Sequence, residues 1–224
     1  MRDYLETEYA ESKRPKTTYP AKLAKYLFTV FDFEPEQKIL EVGSDRAELL
    51  HYFRELGLKT YAYDSAPSAK EHAKAAGAEF ELGVFSPGKP FTPFGGTKFD
   101  IIFSKSFVEH LENPVAFAEA CKRLLSPGGK LVTLTPDWES NVKIFYDDIT
   151  HIKPFTVVSL EQMLDVASFS KVEVFKFRQL PSTWNSKVMK RMAQITSIFS
   201  HRRFKNKWMR WSRELMLASV GVVE

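Results

Sequence analysis

Two short stretches have the residue types and spacing to hold a ribose-containing ligand. Ile39-Leu40-Glu41-Val42-Gly43-Ser44-Asp45-Arg46-Ala47-Glu48 reads as a strand ending in a tight glycine turn that opens a helix. Glycine lets backbone approach a ligand there, and the first N–H groups of a helix have no partner within it. Thr60-Tyr61-Ala62-Tyr63-Asp64-Ser65-Ala66-Pro67 places an acid at the tip of the next strand, 21 residues after Gly43. In open α/β sheets such an acid accepts hydrogen bonds from the two ribose hydroxyls. Each stretch has a plainer alternative, an ordinary strand-to-helix turn and an Asp that caps the following helix. Their occurrence together favours the ligand.

The elements that must position these residues are legible as alternating patterns. Short apolar β-type runs at Lys38–Val42, Lys59–Tyr63, Phe80–Val84, Phe99–Phe103 and Lys130–Thr135 alternate with helical patterns at 46–56, 67–76 and 114–125. Near-continuous apolar strands separated by helices predict a parallel sheet covered on both faces. Asn113-Pro114 is a helix start and Ser126-Pro127-Gly128-Gly129 a helix stop and turn. Gly77 ends the helix before Phe80. Tyr19-Pro20 opens an N-terminal helix with Leu23, Leu27 and Val30 on one face. A helix over 160–167 and strands over Val172–Phe177 and Leu215–Val222 follow. The expected fold is a doubly wound, seven-stranded, mostly parallel sheet with an antiparallel last strand. It makes one domain with a helical region at 1–35, a ligand-binding core at 36–178, a basic helical insertion at 179–213 and a final strand at 214–224.

Composition narrows the class. Of 224 residues, 44% are hydrophobic and 27% charged, which excludes global disorder. The opening MRDYLETEYA lacks an apolar run, so no signal peptide is expected. The longest apolar run, Leu215–Val223, is nine residues, short of the ~18 of a spanning helix. The single cysteine, Cys121, excludes an intramolecular disulfide and a cysteine-based zinc cluster. A reduced, cytoplasmic protein fits. GxGxxG is absent, which argues against a nicotinamide-dependent oxidoreductase.

Four motifs in order resemble the class I S-adenosylmethionine-dependent methyltransferases. They are Leu40–Ala47 against the pattern LDVGCGxG, the acid Asp64, Phe99-Asp100-Ile101-Ile102 with Val108-Glu109-His110-Leu111 against FDxVxxxxVxEHL, and Leu125–Leu131 against LxPGGxL. Farther on, His151-Ile152-Lys153-Pro154-Phe155, Leu160, Leu164 and Phe169 are similar to the HxRxFxxxxLxxLLxxxGF stretch of the small-molecule and glycan-modifying, type 11-like branch. The resemblance covers roughly residues 20–178. It implies S-adenosyl-L-methionine as cofactor, S-adenosyl-L-homocysteine as product, and transfer to O or N of a small molecule, sugar or lipid-linked glycan. It assigns cofactor contacts to Glu41, Gly43, Ser44, Asp45, Asp64, Ser65, Val84, Phe85, Ser104, Lys105 and Ser106.

Three positions depart from the pattern. Asp45 and Ala47 stand where the family has its second and third glycines, and Val84 where it often has an Asp for the adenine. Adenine would then rely on apolar packing, against Phe85 and on backbone. These departures leave a second reading, a binding or regulatory module of the same fold without turnover. Methyl transfer is an in-line displacement, so the protein aligns partners and removes a proton where the acceptor needs it; no metal ligand set or covalent nucleophile is required. His110, after the fourth strand, and His151, after the fifth, are the candidate bases, since imidazole titrates near neutrality. Asp137, Trp138, Tyr146 and Asp148 are candidate acceptor contacts.

Charge is unevenly spread. The net charge is +4, yet 180–213 holds nine Lys/Arg and no acid, leaving −5 on the rest. Val188, Met192, Ile195 and Phe199 share a helical face, and His201 to Trp211 interleaves basic and aromatic residues. That suits an anionic membrane surface or, less well, nucleic acid. The plainer expectation is a lid whose apolar face packs on the domain.

Overall fold

Seven strands, one from each apolar run, hydrogen-bond into a single sheet in the computed structural model, which describes residues 17–200 and 206–224. They are β1 (Lys38–Val42), β2 (Lys59–Asp64), β3 (Glu79–Leu82), β4 (Phe99–Lys105), β5 (Leu125–Pro136), β6 (Ser170–Arg178) and β7 (Leu215–Val222). Their order is β3-β2-β1-β4-β5-β7-β6, with β7 antiparallel to both neighbours and the β3 to β5 block parallel. The expected doubly wound sheet and its antiparallel last strand are both present.

Alternate side chains of each strand feed opposite layers. Ile39, Ile101 and Phe103 join one layer with α1 (Tyr19–Val30), α2 (Glu48–Glu55) and α3 (Ala69–Ala76), through Leu23, Leu27, Leu50, Phe53 and Ala73. Leu40, Val42 and Ile102 join the other with α4 (Pro114–Leu124) and α5 (Val157–Val166), through Phe117, Cys121, Leu160 and Leu164. Phe53, Phe99, Phe103 and Phe117 are fully buried; burying a side chain of this kind stabilises by ~1.5–3 kcal/mol. Cys121 is fully buried too, and burial pushes its thiol well above the usual range.

Several boundaries differ from expectation, each for a local reason. α2 starts at Glu48 because Ser44–Ala47 closes its own turn, with Ala47 N–H donating to Ser44 O at 2.7 Å. α3 starts at Ala69, so Asp64 is not its cap; the cap residue is Ser68. β3 stops at Leu82, and the Gly83 N–H turns to Asp64 O. β5 reaches back to Leu125, because Gly128 and Gly129 exchange backbone bonds with Val223 at the end of β7. Asn113 caps α4 as expected, accepting the Ala116 N–H at 3.0 Å.

The glycine-turn backbone survives the loss of two family glycines. Gly43, Asp45 and Ala47 all lie in the left-handed region, at φ of 75°, 50° and 51°. Asp tolerates this region; Ala and β-branched residues do so at a cost. Ala47 is 1% exposed. Ala47→Gly therefore trades a buried methyl against relieved strain and is expected to be near neutral, within about 1 kcal/mol. Ala47→Val adds both strain and volume and is expected to cost ~2 kcal/mol or more. Urea unfolding midpoints of the two variants test this, and a stable Ala47→Val protein refutes it.

The basic segment forms α6 (Lys187–Phe199) and α7 (Lys207–Arg213); His201–Lys205 lies outside the described residues. α6 turns Ala193 inward, with Met189 and Thr196 half-buried, while Val188, Met192, Ile195, Ile198 and Phe199 are 51–75% exposed. The apolar stripe thus faces away from the body, the reverse of a lid packed by its apolar face. Trp211 of α7 does pack inward, its ring 5.7 Å from that of Tyr19.

Candidate active site

The carboxyl ends of β1, β2 and β4 converge where the strand order reverses, which is where open α/β sheets bind ligands. Asp64, at the end of β2, accepts the Asp45 N–H on Oδ2 and the Ala66 N–H on Oδ1, both at 2.8 Å. One carboxylate therefore braces the glycine turn from below. Gly43 N–H donates to Tyr63 O at 2.9 Å, and a Cβ on Gly43 would come within 2.7 Å of the Phe107 ring.

A cavity of about 120 Å³ opens at this turn, lined by Glu41, Gly43, Ser44, Asp45, Arg46 and Lys105 together with Tyr19 of α1. Glu41 Oε2 and Ser44 Oγ are buried there without a hydrogen-bond partner among the described residues. Burial raises the Glu41 carboxyl well above the usual range; Lys105 pulls it back, and Asp45 and Asp64 add to the rise. Unpartnered buried polar atoms are costly unless a ligand completes them. With Arg46 paired to Glu48 at 2.7 Å, Glu41 and Asp45 face Lys105 across the lining, an excess of one acid that suits a ligand bringing a positive group.

The other expected cofactor contacts divide. Lys105 and Ser106 lie at the strand end, Lys105 lining both this cavity and a second one. Ser65 and Val84 are exposed, Val84 at 68%. Phe85 is buried in an aromatic cluster, its ring 5.4 Å from Phe91 and 5.3 Å from Phe117. Ser104 is fully buried inside the sheet, facing Thr133 Oγ1 at 3.4 Å.

The second cavity, about 280 Å³, lies beyond Lys105 between the ends of β4, β5 and β7, and Glu109, His110, Asp148, His151 and Glu214 line it. His110 and His151, 41 positions apart, have ring centroids 4.8 Å apart. The backbone explains their meeting: Ile152 and Lys153 N–H both donate to Glu109 O, at 2.8 and 2.9 Å. His110 Nδ1 lies 3.1 Å from Thr150 O and 2.9 Å from Thr150 Oγ1. The Thr150 hydroxyl donates to Asp148, so Nδ1 is the protonated nitrogen of His110 and Nε2 carries the lone pair. His151 Nδ1 donates likewise to Phe145 O at 2.6 Å. Burial lowers the His110 pKa, with the Thr150 carbonyl opposing, so the ring is neutral near pH 7.

Glu109 sits within the third motif, whose pattern gives it no role of its own. It is fully buried, its Oε2 accepts from Thr135 Oγ1 at 2.9 Å, and its Oε1 has no hydrogen-bond partner among the described residues. Burial pushes its carboxyl up to about 7, against the Thr135 hydrogen bond. The available signal was a lone acid inside an apolar run. Asn141 and Glu214 line the cavity too and carry no local sequence signal, since each depends on how β7 returns to the sheet. Asp137 does not reach the cavity as expected: it is fully buried, caps the turn 138–141 through Ser140 N–H and pairs with Lys176 at 3.2 Å. Trp138 and Tyr146 pack against one another and Phe145, and Asp148 alone of the four candidates lines the cavity.

Residues 10–174 match the family described as methyltransferase domain. The ubiquinone biosynthesis O-methyltransferase of Cereibacter sphaeroides is 28% identical over 102 residues, 44% of this chain and 40% of that protein. The matched stretch thus spans two fifths of the curated relative's length. A S-adenosylmethionine-dependent methyltransferase from Archaeoglobus fulgidus superposes with a TM-score of 0.66 at 18% identity, covering 98% of this chain and 100% of that one. The Haemonchus contortus phosphoethanolamine N-methyltransferase 2, solved with S-adenosyl-L-methionine, gives 0.60 at 14% identity, covering 98% and 58%. At these identities the likeness to the two structures shows the fold.

Proposed function

The chain belongs to the family of methyltransferase domains, and from that premise we propose that it transfers a methyl group from S-adenosyl-L-methionine to an oxygen or nitrogen of a small polar acceptor. Bound, the cofactor supplies the electrophile, a methyl carbon on a sulfonium sulfur. The observation that carries the reading is Glu41 Oε2, buried and unpartnered on a cavity at a glycine turn. An ammonium group completes such a carboxylate. Gly43 admits close backbone approach, and Lys105 in the same lining suits a carboxylate. Each Asp64 oxygen accepts one backbone N–H and keeps a further lone pair for a ribose hydroxyl. Ser65 and Ser106 extend this set at the strand ends.

On the acceptor side, His110, His151 and Glu109 present lone pairs to a polar cavity. They are the groups in position to take a proton from the acceptor heteroatom as it is methylated. Calorimetry with S-adenosyl-L-methionine and S-adenosyl-L-homocysteine, followed by a screen of hydroxyl and amine acceptors with methyl-labelled cofactor, tests the reading. Binding of neither overturns it. Binding without transfer to any acceptor favours the module without turnover.

The exposed stripe of α6 supports a finer statement, that the acceptor is sugar- or lipid-linked and met at an anionic membrane surface. No helix among the described residues is long and apolar enough to cross a membrane. Lys187, Lys190 and Arg191 flank the stripe, with no acid between 180 and 213. Basic residues at such a surface contribute ~1 kcal/mol each, screened by salt. Co-sedimentation with phosphatidylglycerol vesicles is expected at low salt and lost at high salt. Combined Met192→Ser, Ile195→Ser and Phe199→Ser changes should weaken it by about tenfold or more, since partial burial of three apolar side chains is removed. Retained binding in that variant, or preference for RNA, rejects the membrane surface.

A further inference from the structure

We propose that Glu109, His110 and His151 form a binding site for a divalent transition-metal cation on the acceptor side. One ligand atom from each of the three lies within 4.8 Å of the others. Atoms bonded to one cation at about 2.1 Å sit roughly 3–4 Å apart, so side-chain rotation of about 1 Å closes the set.

Three features separate this cluster from a chance meeting of polar groups. Glu109 lines the cavity fully buried, its Oε1 without a hydrogen-bond partner among the described residues while its Oε2 is held by Thr135. Both imidazoles set Nδ1 against a main-chain carbonyl, Thr150 O or Phe145 O, which favours the tautomer whose Nε2 carries the lone pair. That outer-shell arrangement is the one that orients metal-binding histidines. Asp148 Oδ2 lies 4.0 Å from His151 Nε2, a second carboxylate beside the set. Two imidazoles and a carboxylate favour zinc, manganese, iron or cobalt over magnesium or calcium.

The site stands on this geometry alone; its task rests on the methyl-transfer reading. A hydroxyl acceptor whose oxygen enters the cation's open position loses its proton more readily. The O–H bond breaks, its electron pair stays on oxygen and the proton passes to solvent.

The test is a titration of the chelator-stripped full chain with Co²⁺, read by visible absorption, and with Mn²⁺, read by electron spin resonance. One saturable equivalent is expected. His110→Ala and His151→Ala should each weaken it by ~10–100-fold, and Glu109→Gln should do the same. Thermal melts and S-adenosyl-L-homocysteine calorimetry on the same samples report folding and the cofactor side. No saturable binding of either metal, or binding that folded His110→Ala and His151→Ala proteins retain unchanged, overturns the site. Metal binding without S-adenosyl-L-homocysteine binding leaves the site standing and removes the methyl-transfer reading. The converse removes the site alone.

Discussion

Replacing His110 or His151 with alanine is expected to cut methyl-transfer turnover by ~10²–10⁴-fold, with the affinity for S-adenosyl-L-homocysteine little changed. The split follows from where the rings stand. Both line the cavity beyond Lys105, and neither lines the one at the glycine turn. Each Nε2 faces that acceptor space because Nδ1 is tied to Thr150 or Phe145. His→Gln restores one polar atom without the imidazole and should remain slow. Single-turnover rates with saturating cofactor separate transfer from binding. Wild-type rates in both alanine variants mean that alignment alone suffices for the acceptor, and a matching loss of cofactor affinity in His110→Ala reassigns that ring to the cofactor side.

Asp64→Ala is expected to weaken cofactor binding by ~2–4 kcal/mol, roughly 30- to 900-fold, as charge-assisted bonds to the ribose hydroxyls are lost. The structure adds a second cost, because the same carboxylate holds the Asp45 and Ala66 N–H groups. The loop itself should loosen, and the melting temperature should fall by a few degrees, as loss of ~1 kcal/mol predicts for a chain of this size. Asp64→Asn keeps one acceptor oxygen for backbone and should recover stability before it recovers affinity. Gly43→Val goes further: its side chain meets Phe107 at a φ of 75°, so affinity should vanish. Asp45→Gly, by contrast, should leave binding intact or tighter. Its loss of binding would make the Asp45 carboxylate a direct ligand. An unchanged dissociation constant in Asp64→Ala removes the ribose assignment.

What could be read in advance follows from how local each signal is. The strands were legible because two covered faces demand near-continuous apolar runs, as in Lys38–Val42 and Phe99–Phe103. The pairing of a glycine turn with Asp64 was legible because both lie on consecutive strand ends of one parallel layer. That the turn keeps three left-handed residues with a single glycine was not, since Ala47 carries no positive-φ signal of its own. Phe85 appeared available for adenine, but it is drawn into the Phe91 and Phe117 cluster, a tertiary contact invisible locally. Asp137 reads as a polar loop residue, and only the return of β6 brings Lys176 against it. The meeting of His110, His151 and Glu109 depends on the 150–153 backbone docking onto the Glu109 carbonyl, a bond between distant segments. For α6, periodicity found the stripe, but which side faces water depends on the small residues opposite, Ala193 above all.

Burial of Cys121 has a practical side. The chain's only thiol is sealed between α4 and the sheet and held in its protonated, unreactive form. Maleimide and nitroxide reagents attack thiolates, so the native protein is silent toward them. A cysteine introduced at an exposed position of α6, such as Ile195, becomes the one labelled point in the molecule, and its probe reports the immersion depth of that helix without background from elsewhere.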